Sequence, residues 1–412
     1  MFTYKHFLYN AQSKIETMLH NVHSKKRWKE IIIEKEDVQW VKDQIKKNGA
    51  QNNKVPASVL PDERVLVERI KEKTTKQNRN NVTRTEAYKG VFLKHPELHW
   101  AFLAHMVSRN GGWCMTDLKG DLLPYLLNSK EREHLFEFFE RINALIFQDA
   151  YPQLLLYEES KNQKKNLFHL LPVFHVSAFM RPFWNHFLEK QNSALLTVAL
   201  IINEQHYIED RVIQREYFQK YVLQTLKFKG QEAVQLTQVV FPYAISKFPW
   251  QSNKYRLAGL IIENFEKINE RIEVGKKLYA ILFGIEEVYA GACSFAKGHR
   301  HTGSRSDYWE YMFSSSEEYM HRSYGKERII ACKLIAGAPL FYSPALTEAW
   351  EDKPVEPPDI FEWFKDLSVF DYLQTYSVPT IFDMTSEYCF GINKMELAVL
   401  TKGAMKHQDR SN

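Results

Sequence analysis

The chain has 412 residues, of which 44% are apolar and 25% charged. That balance excludes a disordered polymer and leaves ample material for a buried core. Sparse Gly (16) and Pro (15) argue against the many tight turns of a sandwich or barrel, and 27 Phe with 21 Tyr supply bulky core residues. The net charge of +5 sits at the front: residues 1–94 hold 20 Lys+Arg against 11 Asp+Glu, and the rest hold 35 against 39. A basic front on a near-neutral body suits an anionic partner such as nucleic acid, anionic lipid or an acidic protein.

In chain order the pattern predicts an all-α, predominantly helical bundle of irregular architecture with minor strand content. Residues 1–47 form a basic helical arm, in which Trp28, Ile31, Ile32, Val38 and Val41 supply an apolar stripe. The Asn- and Pro-rich stretch 48–61 has no period and is expected to be a linker to a large helical domain, 62–402, with a frayed tail at 403–412. Pro61, followed by Asp62 and Glu63, opens the next helix. Thr83 and Glu86 have the spacing of a capping box for a helix through Lys94. Pro96 is expected to start a helix that ends at Asn110-Gly111-Gly112, with Thr116-Asp117 opening the next one.

Further along, Asn128 and Glu131 form another capping signal, for a segment reaching Gln148. Pro172 and Pro182 interrupt the aromatic stretch 166–190. Segments 193–228, 255–283 and 285–296 carry helical spacing, Ser343-Pro344 opens a short helix, and 351–358 is a loop. Ile329–Ala336 and Val378–Met384 are candidate short strands. The run Ala194–Ile202 is nine residues long, well short of the roughly 20 a membrane helix needs. The opening MFTYKHFLYN lacks the apolar centre of an export signal. A soluble, cytoplasmic protein is expected, in which Cys114, Cys293, Cys332 and Cys389 are separate core thiols.

Chemistry-bearing residues concentrate at two loop-to-helix junctions and on one helix. Arg79, Asn80, Asn81 and Arg84 lie where a helix N-terminus could bind an anion. His105, Arg109 and Asn110 share a helix, His105 and Arg109 being four apart on one face, where they could line a polar cleft. The segment 297–307 gathers His299, Arg300, His301, Arg305 and Asp307 between glycines, a set suited to phosphate binding or acid–base work. Two Glu-x-x-His steps, Glu131/His134 and Glu318/His321, with Glu204 as an imagined further ligand, have the form of a dimetal site. They read instead as solvated helix surfaces, and no metal is expected. Phosphate-loop, zinc-protease, nucleophile-elbow and dinucleotide fingerprints are missing.

The runs NRNNVTRTEAY (78–88), HPELHWAFLAHMVSRNGGWCMTDL (95–118) and GHRHTGSRSDYWEYMF (298–313) resemble an uncharacterised bacterial family, the YppC-like group. The likeness spans about residue 60 to about residue 370. It implies a cytoplasmic bacterial protein with one large domain, and transfers no catalytic residue. The leading expectation is a helical protein binding an anionic, phosphate- or carboxylate-bearing ligand or partner. The alternatives are an enzyme on a phosphate-containing substrate, with His301 or His105 as acid–base and Arg84 and Arg305 as clamps, and nucleic-acid binding through the basic arm with Trp28 and Trp40. The sequence names no cofactor and does not decide whether the protein is an enzyme.

Overall fold

The computed structural model describes residues 28–48, 60–224, 234–244, 255–319, 326–330 and 332–408. The fold is predominantly helical with a minor strand element, as the composition requires. Its main helices are α1 (Lys35–Asn48), α2 (Pro61–Gln77), α3 (Asn81–Lys94), α4 (His99–Asp117) and α5 (Ser129–Gln163). After them come α6 (Met180–Lys190), α7 (Ser193–Ile208), α8 (Ile268–Gly284), α9 (Glu286–Gly298) and α10 (Thr385–Gln408).

Two of these helices form the centre. From Leu195 to Asn203 every residue of α7 is buried, the all-round apolar surface of a core helix. On α4, Trp100, Met106, Trp113 and Met115 are all buried, and the helix packs on α3, α5 and α7. A two-stranded antiparallel sheet, β1 (Gln238–Ala244) with β2 (Tyr255–Ile261), lies against α4 and α9. Val240, Phe241, Tyr243 and Leu257 are buried, so tertiary contact outweighs the helical spacing expected for 255–261. Within 329–336, expected as one short strand, Ile329–Ile330 and Lys333–Leu334 instead pair with each other as a hairpin. The 378–384 segment forms only a bridge to β2, through Gly259 N to Phe382 O at 2.7 Å and Met384 N to Leu257 O at 2.7 Å.

Several boundaries move, each for a visible reason. Asn80, not Thr83, caps α3: its Oδ1 accepts from Thr83 N at 3.0 Å and its own N–H donates to Thr83 Oγ1 at 3.2 Å. His95-Pro96 forms a turn, closed by Leu98 N to His95 O at 2.9 Å, and the helix starts only at His99. That helix continues straight through Asn110-Gly111-Gly112, so Thr116-Asp117 ends it instead of opening another. Asn128 and Glu131 do form their reciprocal cap, but α5 runs past Gln148 and through Pro152 to Gln163. The burial of Tyr151 and Leu154 to Tyr157 outweighs the hydrogen bond that proline removes.

The described part of the basic arm packs into the body. Ile31, Ile33, Val41 and Ile45 are buried, whereas Ile32 is exposed. Asp37 meets His186 Nε2 at 3.0 Å and accepts from Asn192 Nδ2 at 2.7 Å. Most of the expected linker, residues 49–59, lies outside the described residues. α10 extends to Gln408, into the segment expected to fray. Cys332 and Cys389, expected as separate thiols, are joined in a disulfide that ties the hairpin to α10, while Cys114 and Cys293 are free. Among the described residues no helix is long and apolar enough to cross a membrane.

Candidate functional site

The two junctions meet in space. The His301 ring sits between Asn81 and Asp307, with Nε2 2.8 Å from Asn81 Oδ1 and Nδ1 3.5 Å from Asp307 Oδ2. Gly112 makes this possible, because a Cβ there would lie 2.5 Å from Asn81 Oδ1 and 2.6 Å from His301 Nε2. The glycines read as a helix stop thus serve close approach within a helix. Asn81 Nδ2 donates to Ser108 O at 2.8 Å, and Ser108 Oγ lies 2.8 Å from Thr85 Oγ1. His105 Nδ1 is 2.8 Å from Thr85 O, and burial holds this imidazole well below its ordinary pKa.

Charges in this cluster are spent internally. Arg109 donates to His299 O at 2.8 Å, lies over the Phe295 ring at 4.5 Å and faces Asp307 at 4.0 Å; burial lowers its pKa to about 10. Asp307 accepts from Thr302 N at 3.0 Å and Thr302 Oγ1 at 2.6 Å. Burial alone would raise its pKa, but the contacts with His301 and Thr302 keep it below the ordinary value. Burial also lowers the pKa of His301, which has no exposed surface.

The remaining expected residues go elsewhere. Arg84, fully buried, bonds Glu140 at 2.5 Å and Asn78 Oδ1 at 3.1 Å. Arg305 is equally buried on the far side of Trp113, with Asp117 at 2.6 Å and Tyr308 OH at 3.0 Å. Asn110 pins β1 to α4 through Gln238 O at 2.7 Å and Val240 N at 3.1 Å. Arg79 and Asn80 meet Asp352 at the surface, His299 stacks on Phe295, and Arg300 is exposed. Trp28 packs edge-on to Phe382 and Trp40 against His186. Glu131 is engaged in its cap, His134 packs on Tyr217 and Tyr221, and His321 lies outside the described residues. Among the described residues no group of three or more His, Cys, Asp or Glu is placed to hold a metal.

The opposite face of α4 borders a cavity of about 170 Å³, walled by Trp100, Leu103, Ala104, Val107, Phe139, Ile142, Phe265 and Leu278. Its polar lining includes Ser108, Asn143, Glu204 and Gln238. Glu204, on α7, accepts from Trp100 Nε1 at 3.1 Å and Gln205 Nε2 at 3.2 Å, and retains partial accessibility. Burial pushes its pKa up to about 8, against the two hydrogen bonds that favour the carboxylate, and nearby Asp149 adds to the rise. Burial likewise raises Asp149 to about 7, though Asn203 and Gln153 donate to it at 2.6 and 2.9 Å. Tyr88 and Gln238 are among the lining residues; the Tyr88 hydroxyl and the Gln238 amide atoms are buried with no hydrogen-bond partner in the protein, as are His105 Nε2, His301 Nδ1 and two Arg109 nitrogens across the helix. Sequence reasoning considered Glu204 only as a metal ligand and missed Gln238 and Tyr88. The available signal was an acid two residues past the apolar run of α7.

A family model described as a protein of unknown function (DUF2515) matches residues 76–386. The chain belongs to this family. The DUF2515 chain is also 43% identical over 244 residues to the "Uncharacterized protein YppC" of Bacillus subtilis (strain 168), covering 59% of this chain and 73% of that protein. No solved structure matches. The last turn of α2 is where the DUF2515 match begins and the helices α3 to α9 fall within it, so the His301 cluster and the cavity both lie inside the family region.

Proposed function

We propose that this protein binds a compact, mostly apolar small molecule in the cavity beside α4. The observation that carries this reading is Glu204, a partly accessible carboxyl on the border of a mostly apolar recess, where burial pushes its pKa up to about 8. Perturbed acids set in apolar cavities mark binding and catalytic sites, because the cost of desolvation is retained where a ligand uses the group. The volume of about 170 Å³ compares with the roughly 150 Å³ apolar cavity that accommodates benzene elsewhere.

This reading departs from the expected anionic ligand. Arg84, Arg109 and Arg305 are fully buried and each faces a protein carboxylate, which leaves little charge for an outside anion. The same pairing weakens the phosphate-enzyme alternative, whose acid–base candidates His105 and His301 have no exposed surface. For nucleic acid, Trp28 and Trp40 turn toward the body, and residues 1–27 lie outside the described set. A second reading, general-acid catalysis by Glu204, draws support from its protonation at neutral pH. A cytoplasmic setting belongs to the same proposal, and cell fractionation checks it.

The test uses toluene and indole as probes in thermal denaturation of the full chain. A tenfold excess over Kd should stabilise the protein by about 1.4 kcal/mol. Ala104→Phe, which fills the cavity from α4, should abolish that stabilisation; Val107→Phe serves if the first variant does not fold. Unchanged stabilisation in a folded, filled variant would overturn the reading.

A further inference from the structure

We propose that the cavity selects an organic amine of single-ring size, whose ammonium group pairs with the Glu204 carboxylate. This rests on the cavity being the binding site, and it names the class of guest. Glu204 lines the cavity and keeps partial accessibility. Both of its carboxyl oxygens accept from neutral donors, Oε2 from Trp100 Nε1 at 3.1 Å and Oε1 from Gln205 Nε2 at 3.2 Å. Among the described residues no cation pairs with it, and the charge that acts on it, Asp149, has the same sign. Arg271, the cation in the lining, stops one residue short. Its Nε donates to Gln205 Oε1 at 2.9 Å and its other nitrogens to Phe265 O at 2.8 Å and to Glu209, so an amide stands between guanidinium and carboxyl.

A carboxylate given two neutral donors and no positive charge is only half stabilised in an apolar setting. Its oxygens can each accept a further hydrogen bond, and an ammonium supplies the bond and the missing charge together. A bare metal ion is a poorer match. Hard cations take roughly six oxygen ligands, and among the described residues no group of three or more His, Cys, Asp or Glu is placed to hold one. An amine brings its own apolar body instead, which the walls Leu103, Ile142 and Leu278 accommodate. Trp100, Phe139 and Phe265 suit both a ring and a nearby cation. A carboxylate or phosphate would meet Glu204 and Asp149 with Arg271 already committed.

Proton release marks the pairing. Burial raises the Glu204 pKa to about 8, so the group must lose its proton to receive an ammonium, and amine affinity should climb with pH. The titratable groups facing it are Asp149 on α5 and Tyr88 on α3. Asp149, raised to about 7, ionises over the same range and also favours the cation, while burial keeps Tyr88 neutral. Calorimetry on the full chain at pH 6 and pH 8 with benzylamine, benzyl alcohol, toluene and benzoate tests this. At the higher pH benzylamine should bind at least about tenfold tighter than toluene, the worth of one charge-assisted hydrogen bond, and benzoate should bind weakest. Between the two conditions its affinity should rise about tenfold or more. Glu204→Gln should bring benzylamine level with benzyl alcohol and flatten most of that rise. Glu204→Met replaces it if the glutamine variant fails to fold. Toluene binding with no amine preference, a benzylamine affinity that does not rise with pH, a preference that survives either substitution, or tightest binding by benzyl alcohol or benzoate would each overturn the inference while sparing the cavity. Failure of all four probes to bind removes the cavity reading and this inference together.

Discussion

On one face of α4, Asn81 bonds Ser108 and His301, and Arg109 finds a carbonyl, a ring face and a carboxylate, although His301 Nδ1 and two Arg109 nitrogens have no hydrogen-bond partner. On the other, Glu204 is pushed toward neutrality while Gln238 and Tyr88 have side-chain polar atoms without partners. Unpartnered polar atoms occur on both faces, so hydrogen bonding alone does not distinguish structure from site. Space does: His301 and Arg109 are closed in by protein, whereas Glu204 is partly accessible and borders the cavity. The residues that looked most chemical in the sequence fall mainly on the closed side.

The largest effect should come from breaking a closed pair. Arg84→Ala leaves Glu140 buried and uncompensated, and should cost about 3–5 kcal/mol in chemical denaturation. A smaller loss, about 1–3 kcal/mol, is expected for Gly112→Ala, whose methyl would collide with Asn81 and His301. A loss below about 0.5 kcal/mol would mean, for Arg84→Ala, that the Glu140 pair is not closed to water and, for Gly112→Ala, that the two junctions are not rigidly locked.

The open side should respond to pH instead. Glu204 and Asp149 have folded-state pKa values of about 8 and about 7, above the roughly 4 of an unfolded carboxyl. Between these limits the folded state holds more protons, so stability falls as pH rises from about 4 toward 8. Glu204→Gln should remove the slope between pH 7 and 8 and roughly halve it between pH 4 and 7, where Asp149's part remains. An unchanged slope in melting experiments would show that Glu204 is ionised in the folded protein. Asp307 runs the other way: its lowered pKa confers stability that is lost as pH falls through its folded value.

Much of the fold was legible because helix signals are local. Pro61, the Asn128–Glu131 cap and the apolar run of α7 each act within a turn or two of chain. The misread points depend on distant partners. Gly111-Gly112 has the form of a stop until His301, far along the chain, occupies the space above Gly112. The strand 255–261 carries a helical spacing that only its pairing with 238–244 overrides. For the site, sequence reasoning found residues of the closed network by their chemical character, and all three of its segments contribute to it through Asn81, His105 with Arg109, and His301 with Asp307. It had no means of finding the cavity, which many separate helices and a strand enclose.

Ser108 and Asn143 belong to both faces at once. They line the cavity, and the same side chains stand 3.4 Å apart and each reach Asn81, which holds His301. A guest that draws Asn143 away from Asn81 would be felt at the 297–307 loop. Thermodynamic linkage makes the influence mutual: any event that loosens His301 must change the guest's affinity by the same factor. The helix is therefore a common wall, and what happens in one room is audible in the other.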